Sequence, residues 1–172
     1  PAHEGTSRGL RRALAGLALV FVLWPRWGAL PPHEATTNHA ALPALQGDFA
    51  TGPDVTAACL TCHTEAAKQL HKTTHWTWAF ENPVTGQLLG KKNVVNNFCV
   101  ATASNWPRCT SCHIGYGWKD DNFDLASEKN VDCLVCHDTT GTYKKTPTAA
   151  GMPDPEVDLV KVAKSVGRTS RK

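Results

Sequence analysis

Six of the seven cysteines in this chain fall in pairs, and a histidine directly follows each pair. The three motifs are Cys59-Leu-Thr-Cys62-His63, Cys109-Thr-Ser-Cys112-His113 and Cys133-Leu-Val-Cys136-His137. In a Cys-x-x-Cys-His motif, the two thiols can add to the vinyl groups of one haem while the histidine binds its iron. The motifs therefore predict three covalently attached haems of the c type.

The motif spacing suits a helical turn, because residues three positions apart lie on one face of a helix. Hydrophobic residues make up 41% of the chain, but much of that share lies in one N-terminal run, and 11 Pro and 13 Gly are present. Such a chain has few side chains with which to build an apolar core. Haems would supply the missing apolar surface, as cofactors do in other small domains.

Zinc and disulfides are the alternatives for the cysteines. Twenty residues separate Cys112 from Cys133, which is a spacing typical of a four-cysteine zinc site. A four-cysteine zinc site has no need of the histidine after each pair, and three pairs leave one without a zinc partner. A disulfide within Cys-x-x-Cys closes too small a loop to stabilise much. The pattern favours haem.

The second axial ligand decides what each iron does, because a bis-histidine iron is closed and an open iron can bind substrate. His75 precedes two tryptophans and is the favoured distal ligand; His39 comes next and His71 third. A surface histidine is the alternative for each of them. Three haems need three distal groups, so one iron is left open or is completed by residues outside this chain.

Cys99 is the seventh cysteine and has no partner once the other six are bonded to haem. It is either a buried free thiol or a reactive thiol near a substrate-binding haem, ten residues before Cys109. The aromatic residues around the motifs are interpreted as haem packing rather than as a substrate box.

Residues 1–35 are predicted to be an export signal. Arg8, Arg11 and Arg12 precede a 12-residue apolar run, which is shorter than the about 20 residues needed to span a bilayer. An uncleaved membrane anchor is the alternative. Either way, residues 36–172 are expected in the periplasm, with the membrane reached only through the signal. The basic residues form no stripe interleaved with aromatics, which argues against nucleic acid.

The secondary structure is predicted to be mainly α with extensive irregular loops, and no run of alternating strands is visible. Asp54 is predicted to cap a helix from Val55 to about Leu70 that contains the first motif. Asp154 is predicted to cap a helix over residues 155–166, which Gly167 ends. Residues 36–172 are predicted to form one tri-haem unit wrapped around its cofactors.

Five strings around the motifs form a recognisable pattern: Val55-Thr-Ala-Ala-Cys-Leu-Thr-Cys-His63, His75-Trp-Thr-Trp78, Val94-Val-Asn-Asn-Phe-Cys99, Ser104-Asn-Trp-Pro-Arg-Cys-Thr-Ser-Cys-His-Ile-Gly-Tyr-Gly-Trp118 and Val131-Asp-Cys-Leu-Val-Cys-His-Asp-Thr-Thr-Gly-Thr-Tyr143. They resemble the octahaem c-type cytochromes of the tetrathionate reductase family. That resemblance implies a loop-rich helical chain around eight packed haems in the periplasm, with reduction of tetrathionate, nitrite or hydroxylamine. It also implies that the substrate site is the haem on Cys109, Cys112 and His113, with Cys99 nearby, and that His39 and His75 are distal ligands.

The chain departs from that family in having three motifs rather than eight. The lysine that ligates the substrate-site iron in the family is expected beyond Lys172. We therefore expect the N-terminal part of an oxidoreductase with an incomplete active site, or alternatively a pure electron carrier. The expected partners are a small-molecule substrate and redox proteins or quinol-linked electron donors.

Overall fold

A computed structural model of the chain describes residues 36–93 and 101–167. Its helices are short, and one antiparallel hairpin pairs β1 (Phe80–Glu81) with β2 (Leu88–Leu89). No helix of the described part is long and apolar enough to cross a membrane. The predicted signal, residues 1–35, lies outside the described residues, as does Cys99. The α-helices are α1 (Gly52–Leu60), α2 (Ala66–His71), α3 (Thr74–Thr77), α4 (Trp106–Cys109), α5 (Leu134–His137) and α6 (Leu159–Lys164).

Short 3₁₀ helices connect these elements: His39–Ala41, Pro43–Leu45, Lys91–Asn93, Thr102–Ser104, Thr110–Cys112 and Glu128–Asn130. The rest of the described chain consists of turns and irregular segments apart from the hairpin. The prediction of a mainly helical, loop-rich fold is confirmed.

The prediction for the first helix is wrong at both ends. Thr51 is the N-cap: the Asp54 amide donates to its side chain, and its own amide donates to the Asp54 carboxylate at 2.8 Å. Asp54 is thus the third residue of a capping box rather than the cap itself. The helix ends at Leu60, where the Thr61 hydroxyl donates to the Ala58 carbonyl and so competes with the helix ladder. A separate helix, α2, begins at Ala66.

The prediction for the last helix placed its start too early. Asp158 is the N-cap, and its side chain accepts the Lys161 amide at 2.8 Å. Asp154 instead accepts the Glu156 amide at 3.0 Å and so stabilises a turn before the helix. Gly167 does not end α6, because the helix stops at Lys164. The Gly167 amide instead donates to the His137 carbonyl at 2.9 Å. The end of the described chain is therefore held against the third motif.

The apolar core is divided into three small clusters. One packs α1, α5 and α6 together through Leu45, Val55, Leu134, Tyr143, Val162 and Ala163. The other two centre on aromatic rings: Ala67, Trp76 and Val131 form one, and Trp78, Trp106 and Trp118 form the other. Cys59 packs against the first cluster and Cys133 against the second. The haem motifs thus border the core and do not lie on remote loops.

Candidate haem sites

The first motif begins at the end of α1 and presents an exposed histidine, His63, beside His39. The two imidazole rings lie 6.4 Å apart between centroids, with 12° between their planes. Two metal–nitrogen bonds of about 2 Å, plus about 1.1 Å from each nitrogen to its ring centre, give a separation of about 6 Å. The separation therefore fits two imidazoles that bind one iron from opposite sides.

His39 is also held in the tautomer that binding needs. Its Nδ1 lies 3.1 Å from the Thr37 carbonyl oxygen. A carbonyl only accepts hydrogen bonds, so Nδ1 carries the proton and the Nε2 lone pair is left for a metal. The first motif thus fits a haem, which Cys59, Cys62, His63 and His39 would hold.

The third motif presents its histidine in the same way. Cys133 is the N-cap of α5, and both Cys136 and His137 are exposed. The Nδ1 atom of His137 lies 2.8 Å from the Gly167 carbonyl oxygen, which again leaves Nε2 unprotonated. The third motif therefore fits a haem. The two anchoring carbonyls were missed from the sequence because any residue type can supply one.

The first and third motifs meet through their first cysteines. The Cys59 and Cys133 thiols share a hydrogen bond, which raises the pKa of Cys59 and lowers that of Cys133. The Thr56 hydroxyl, one turn earlier on α1, lies 3.8 Å from the Cys133 sulfur and donates to the Val131 carbonyl at 2.6 Å. Two attachment sulfurs from different motifs are therefore neighbours.

The second motif differs because its histidine is buried. His113 is fully enclosed by a histidine cage of aromatic rings with centroids 4.8–5.7 Å from its own: Trp76, Trp78, Trp118 and Phe123. Its Nε2 donates to the Trp76 carbonyl at 2.7 Å, and its Nδ1 has no hydrogen-bond partner within the described residues. Burial lowers the pKa of His113 to about 4, so the ring is neutral at pH 7.

The second motif does not fit a haem in this conformation. Cys112 is exposed and Cys109 is half-buried, but the Nε2 atom that would bind iron is committed to the Trp76 carbonyl. Gly115 tightens the cage, because a Cβ there would lie 2.8 Å from both the His113 Nδ1 and the Trp76 ring. Iron binding at His113 requires the ring to leave the Trp76 carbonyl.

The other predicted distal ligands, His75 and His71, lie on α3 and α2. His75 is exposed on α3, and His71 stacks on Trp76 at 4.5 Å between ring centroids. Among residues 36–93 and 101–167, no group of three or more Cys, His, Asp or Glu side chains is arranged to hold a metal ion. The four cysteines of the zinc alternative are therefore not brought together. The role of His75 stays a prediction.

Comparison with known proteins agrees with these motifs. The profile of a family described as cytochrome c554 and c-prime matches residues 58–138, which include all three Cys-x-x-Cys-His motifs. The structure is similar to that of the octahaem cytochrome c from Shewanella oneidensis, with a TM-score of 0.72 and 53% sequence identity. The chain is a multihaem c-type cytochrome. No curated protein sequence matches it.

The likeness to the octahaem protein covers 78% of this cytochrome but 31% of the Shewanella chain, so the cytochrome spans about a third of that protein's length. The resemblance to octahaem c-type cytochromes is confirmed. The narrower assignment to the tetrathionate reductase family stays a prediction, as do the number of haems and the role of Cys99.

Proposed function

We propose that this cytochrome carries three haems and transfers electrons, with a closed bis-histidine iron at the first motif. The observation that carries the proposal is the pairing of His39 with His63 at 6.4 Å. Haem, when bound, supplies a one-electron iron couple, and two imidazole ligands leave no position for substrate. The bond between His39 Nδ1 and the Thr37 carbonyl fixes the distal ring, so little rearrangement accompanies a change of oxidation state.

The contact between Cys59 and Cys133 supports an electron path between the first and third motifs. Each sulfur would bond one edge of its own macrocycle, so neighbouring sulfurs hold two cofactor edges close to each other. Fixing redox centres close together is the protein's contribution to transfer between them. The path suggested by this contact joins the first motif to the third, and so does not follow the order of the motifs in the sequence.

We propose a periplasmic location, which is typical of multihaem c-type cytochromes of this kind. Residues 1–35 would direct export and provide the only contact with the membrane. The proposed partners are redox proteins or quinol-linked donors that deliver electrons. Nucleic acid is not among them, because the chain carries a formal charge of only +3 and no basic stripe.

Reduction of a small sulfur or nitrogen compound is the second candidate function, in which this cytochrome would act as part of an oxidoreductase. The resemblance points to tetrathionate, nitrite or hydroxylamine as substrate and to the second motif as the site, with Cys99 as a nearby thiol. One observation favours it: in the described part of the chain, aromatic rings surround His113, and no histidine faces it as His39 faces His63. An iron bound there would lack a distal histidine.

The test is a count of haems and of spin states in protein matured by a periplasmic haem-attachment system. Denaturation in alkaline pyridine gives the haem-to-protein ratio, and electron paramagnetic resonance of the folded protein separates low-spin from high-spin iron. We expect three haems per chain, with a low-spin bis-imidazole signal from the first motif. Two haems would contradict the proposed number of three, and a high-spin iron at the first motif would contradict the electron-transfer proposal.

The same preparation separates the two candidate functions. After stoichiometric reduction, the protein is mixed with nitrite, hydroxylamine or tetrathionate, and the haem absorption is followed. Reoxidation that depends on one of these compounds supports substrate reduction. Haems that stay reduced with all three, yet exchange electrons with a second cytochrome, show a carrier without a substrate site in this part of the protein.

A further inference from the structure

A buried ion pair lies between the second and third motifs. Asp132 immediately precedes Cys133, and its carboxylate lies 2.8 Å from the ammonium of Lys145. The side chains of the two residues are 0% and 10% exposed. Removing two charges from water costs several kcal/mol per ion, and their mutual attraction often fails to offset it. Stability alone is therefore a poor explanation for this pair.

The carboxylate of Asp132 is fully satisfied by four donors. One oxygen accepts from the Tyr116 hydroxyl at 2.8 Å and the Val135 amide at 3.0 Å, and the other accepts from Tyr143 and Lys145, both at 2.8 Å. An ionised carboxylate has about four acceptor positions. Both charges are thus held at fixed positions, and neither can turn towards solvent without breaking several bonds.

The pair touches two haem motifs directly. Lys145 donates to the carbonyl of His113 at 2.6 Å, and the Val135 amide bonded to Asp132 lies inside the third Cys-x-x-Cys. The fields of both charges reach the attachment sulfur of Cys136. Burial is the main cause of that thiol's raised pKa, while the Asp132 carboxylate raises it further and the Lys145 ammonium lowers it.

We propose that Asp132 and Lys145 are positioning residues whose two fixed charges set the reduction potential of the haem on the third motif. The inference rests on the proposed haem attachment at Cys133, Cys136 and His137. Reduction adds one negative charge to the cofactor, so a nearby ammonium favours the reduced form and a nearby carboxylate favours the oxidised form. In this dry setting the effect is far less screened than at the surface.

The test is a redox titration of the haem-loaded protein carrying single substitutions. Lys145→Met removes the positive charge and is expected to lower the potential of the third-motif iron. Asp132→Asn removes the negative charge, keeps acceptor and donor groups for the tyrosines, and is expected to raise it. The signal of that iron is the one that changes in His137→Met. In the double variant Asp132→Asn/Lys145→Met, the potential of the third-motif iron is expected to return towards that of the unmodified protein.

The directions of the two shifts in reduction potential distinguish an electrostatic role of the ion pair from a purely structural one. A purely structural role would shift both single variants in the same direction, because loosened packing admits water and favours the oxidised iron in each. Lys144→Met is the matched control: it removes an equal charge from the neighbouring exposed lysine, whose partners are Glu156 and Asp154, and is expected to leave the potential unchanged. Lys145→Arg keeps the positive charge, so its potential is expected to stay close to that of the unmodified protein.

Failure of the inference can be separated from failure of the proposed function. The pyridine assay, run on the unmodified protein and on the variant Cys133→Ser/Cys136→Ser, first establishes whether the third motif carries haem, because only then does the variant hold one haem fewer. If it does, equal-sign shifts or no shift in the two single variants overturn the tuning role while electron transfer stands. If it does not, both proposals are wrong. Should Asp132→Asn fail to fold, Lys145→Met can still contradict the inference, because absence of a downward shift in the potential of the third-motif iron rules out the tuning role.

Discussion

The imidazole ring of His39 lies 6.4 Å from that of His63 with only 12° between the two planes. The two residues belong to different elements, a 3₁₀ helix before α1 and the turn after it. The 3₁₀ helix is positioned by its neighbour Leu45, which is buried in the same cluster as Val55 of α1. Packing of apolar side chains therefore brings His39 beside the histidine of the first motif.

His39→Met tests this pairing. Replacing one axial imidazole by a thioether raises the potential of a haem iron, as histidine–methionine ligation does in cytochromes c. We expect the first-motif iron to titrate at a higher potential and to stay low-spin. The comparison variant is His75→Met on exposed α3, for which we expect no change in the potential of the first-motif iron. A shift with His75→Met and none with His39→Met would assign the distal ligand to His75.

The contact between the Cys59 and Cys133 thiols predicts a cross-linked product in the haem-free chain. A variant with serine at the other five cysteines is exposed to oxidised glutathione and analysed by peptide mass spectrometry. We expect a Cys59–Cys133 disulfide, because the Cys133 pKa is lowered and its thiolate can attack. The control keeps Cys62 and Cys133 instead, and is expected to give much less of the intramolecular product. Equal yields would show that the contact is not specific.

The sequence predicted the chemistry of the motifs more fully than their surroundings. A Cys-x-x-Cys-His motif contains both attachment cysteines and the proximal histidine within five consecutive residues, so it can be recognised without knowledge of the three-dimensional structure. The proximity of His39 to His63 could not be derived from local spacing, because it depends on the tertiary packing of the 3₁₀ helix that carries His39, which contacts α6. The Asp132–Lys145 pair was missed for the same reason: its tyrosine partners come from both sides of the third motif.

The predicted start of the last helix was wrong because two aspartates could each serve as its N-cap. Asp154 before Pro155 has the pattern of a helix start, yet Asp158 satisfies the Lys161 amide and begins α6 four residues later. Both aspartates make the local hydrogen bonds that their type favours. Tertiary packing decides between them, because Val162 and Ala163 of α6 are buried against α1 and α5.

Gly115→Ala is expected to destabilise the histidine cage. The added Cβ would lie 2.8 Å from the His113 ring and 2.8 Å from the Trp76 ring, both of which are buried. Overpacking of this kind costs about 1–3 kcal/mol. Gly47→Ala is the matched control, since no atom lies within 4 Å of its Cβ position. Thermal denaturation should show a lower midpoint for Gly115→Ala only. Equal midpoints would mean that the rings of the histidine cage move aside without loss of stability.

The buried, neutral His113 predicts acid-sensitive stability in the haem-free chain. Its folded pKa of about 4 lies below the ordinary 6.5, so between these values the unfolded chain binds more protons than the folded one. Stability therefore rises with pH in this window: the contribution is complete above pH 6.5 and is lost as the pH falls towards 4. The difference of the two pKa values corresponds to about 3 kcal/mol.

Urea denaturation at several pH values measures this contribution, with His113→Gln as the comparison. Glutamine does not titrate, and its amide can still donate to the Trp76 carbonyl, so the variant should lose less stability on acidification from pH 6.5 to 4. The carboxylates titrate in both proteins and cancel in the difference. Identical slopes would show that His113 is protonated as easily in the folded chain as in the unfolded one, and hence that the cage is open to water.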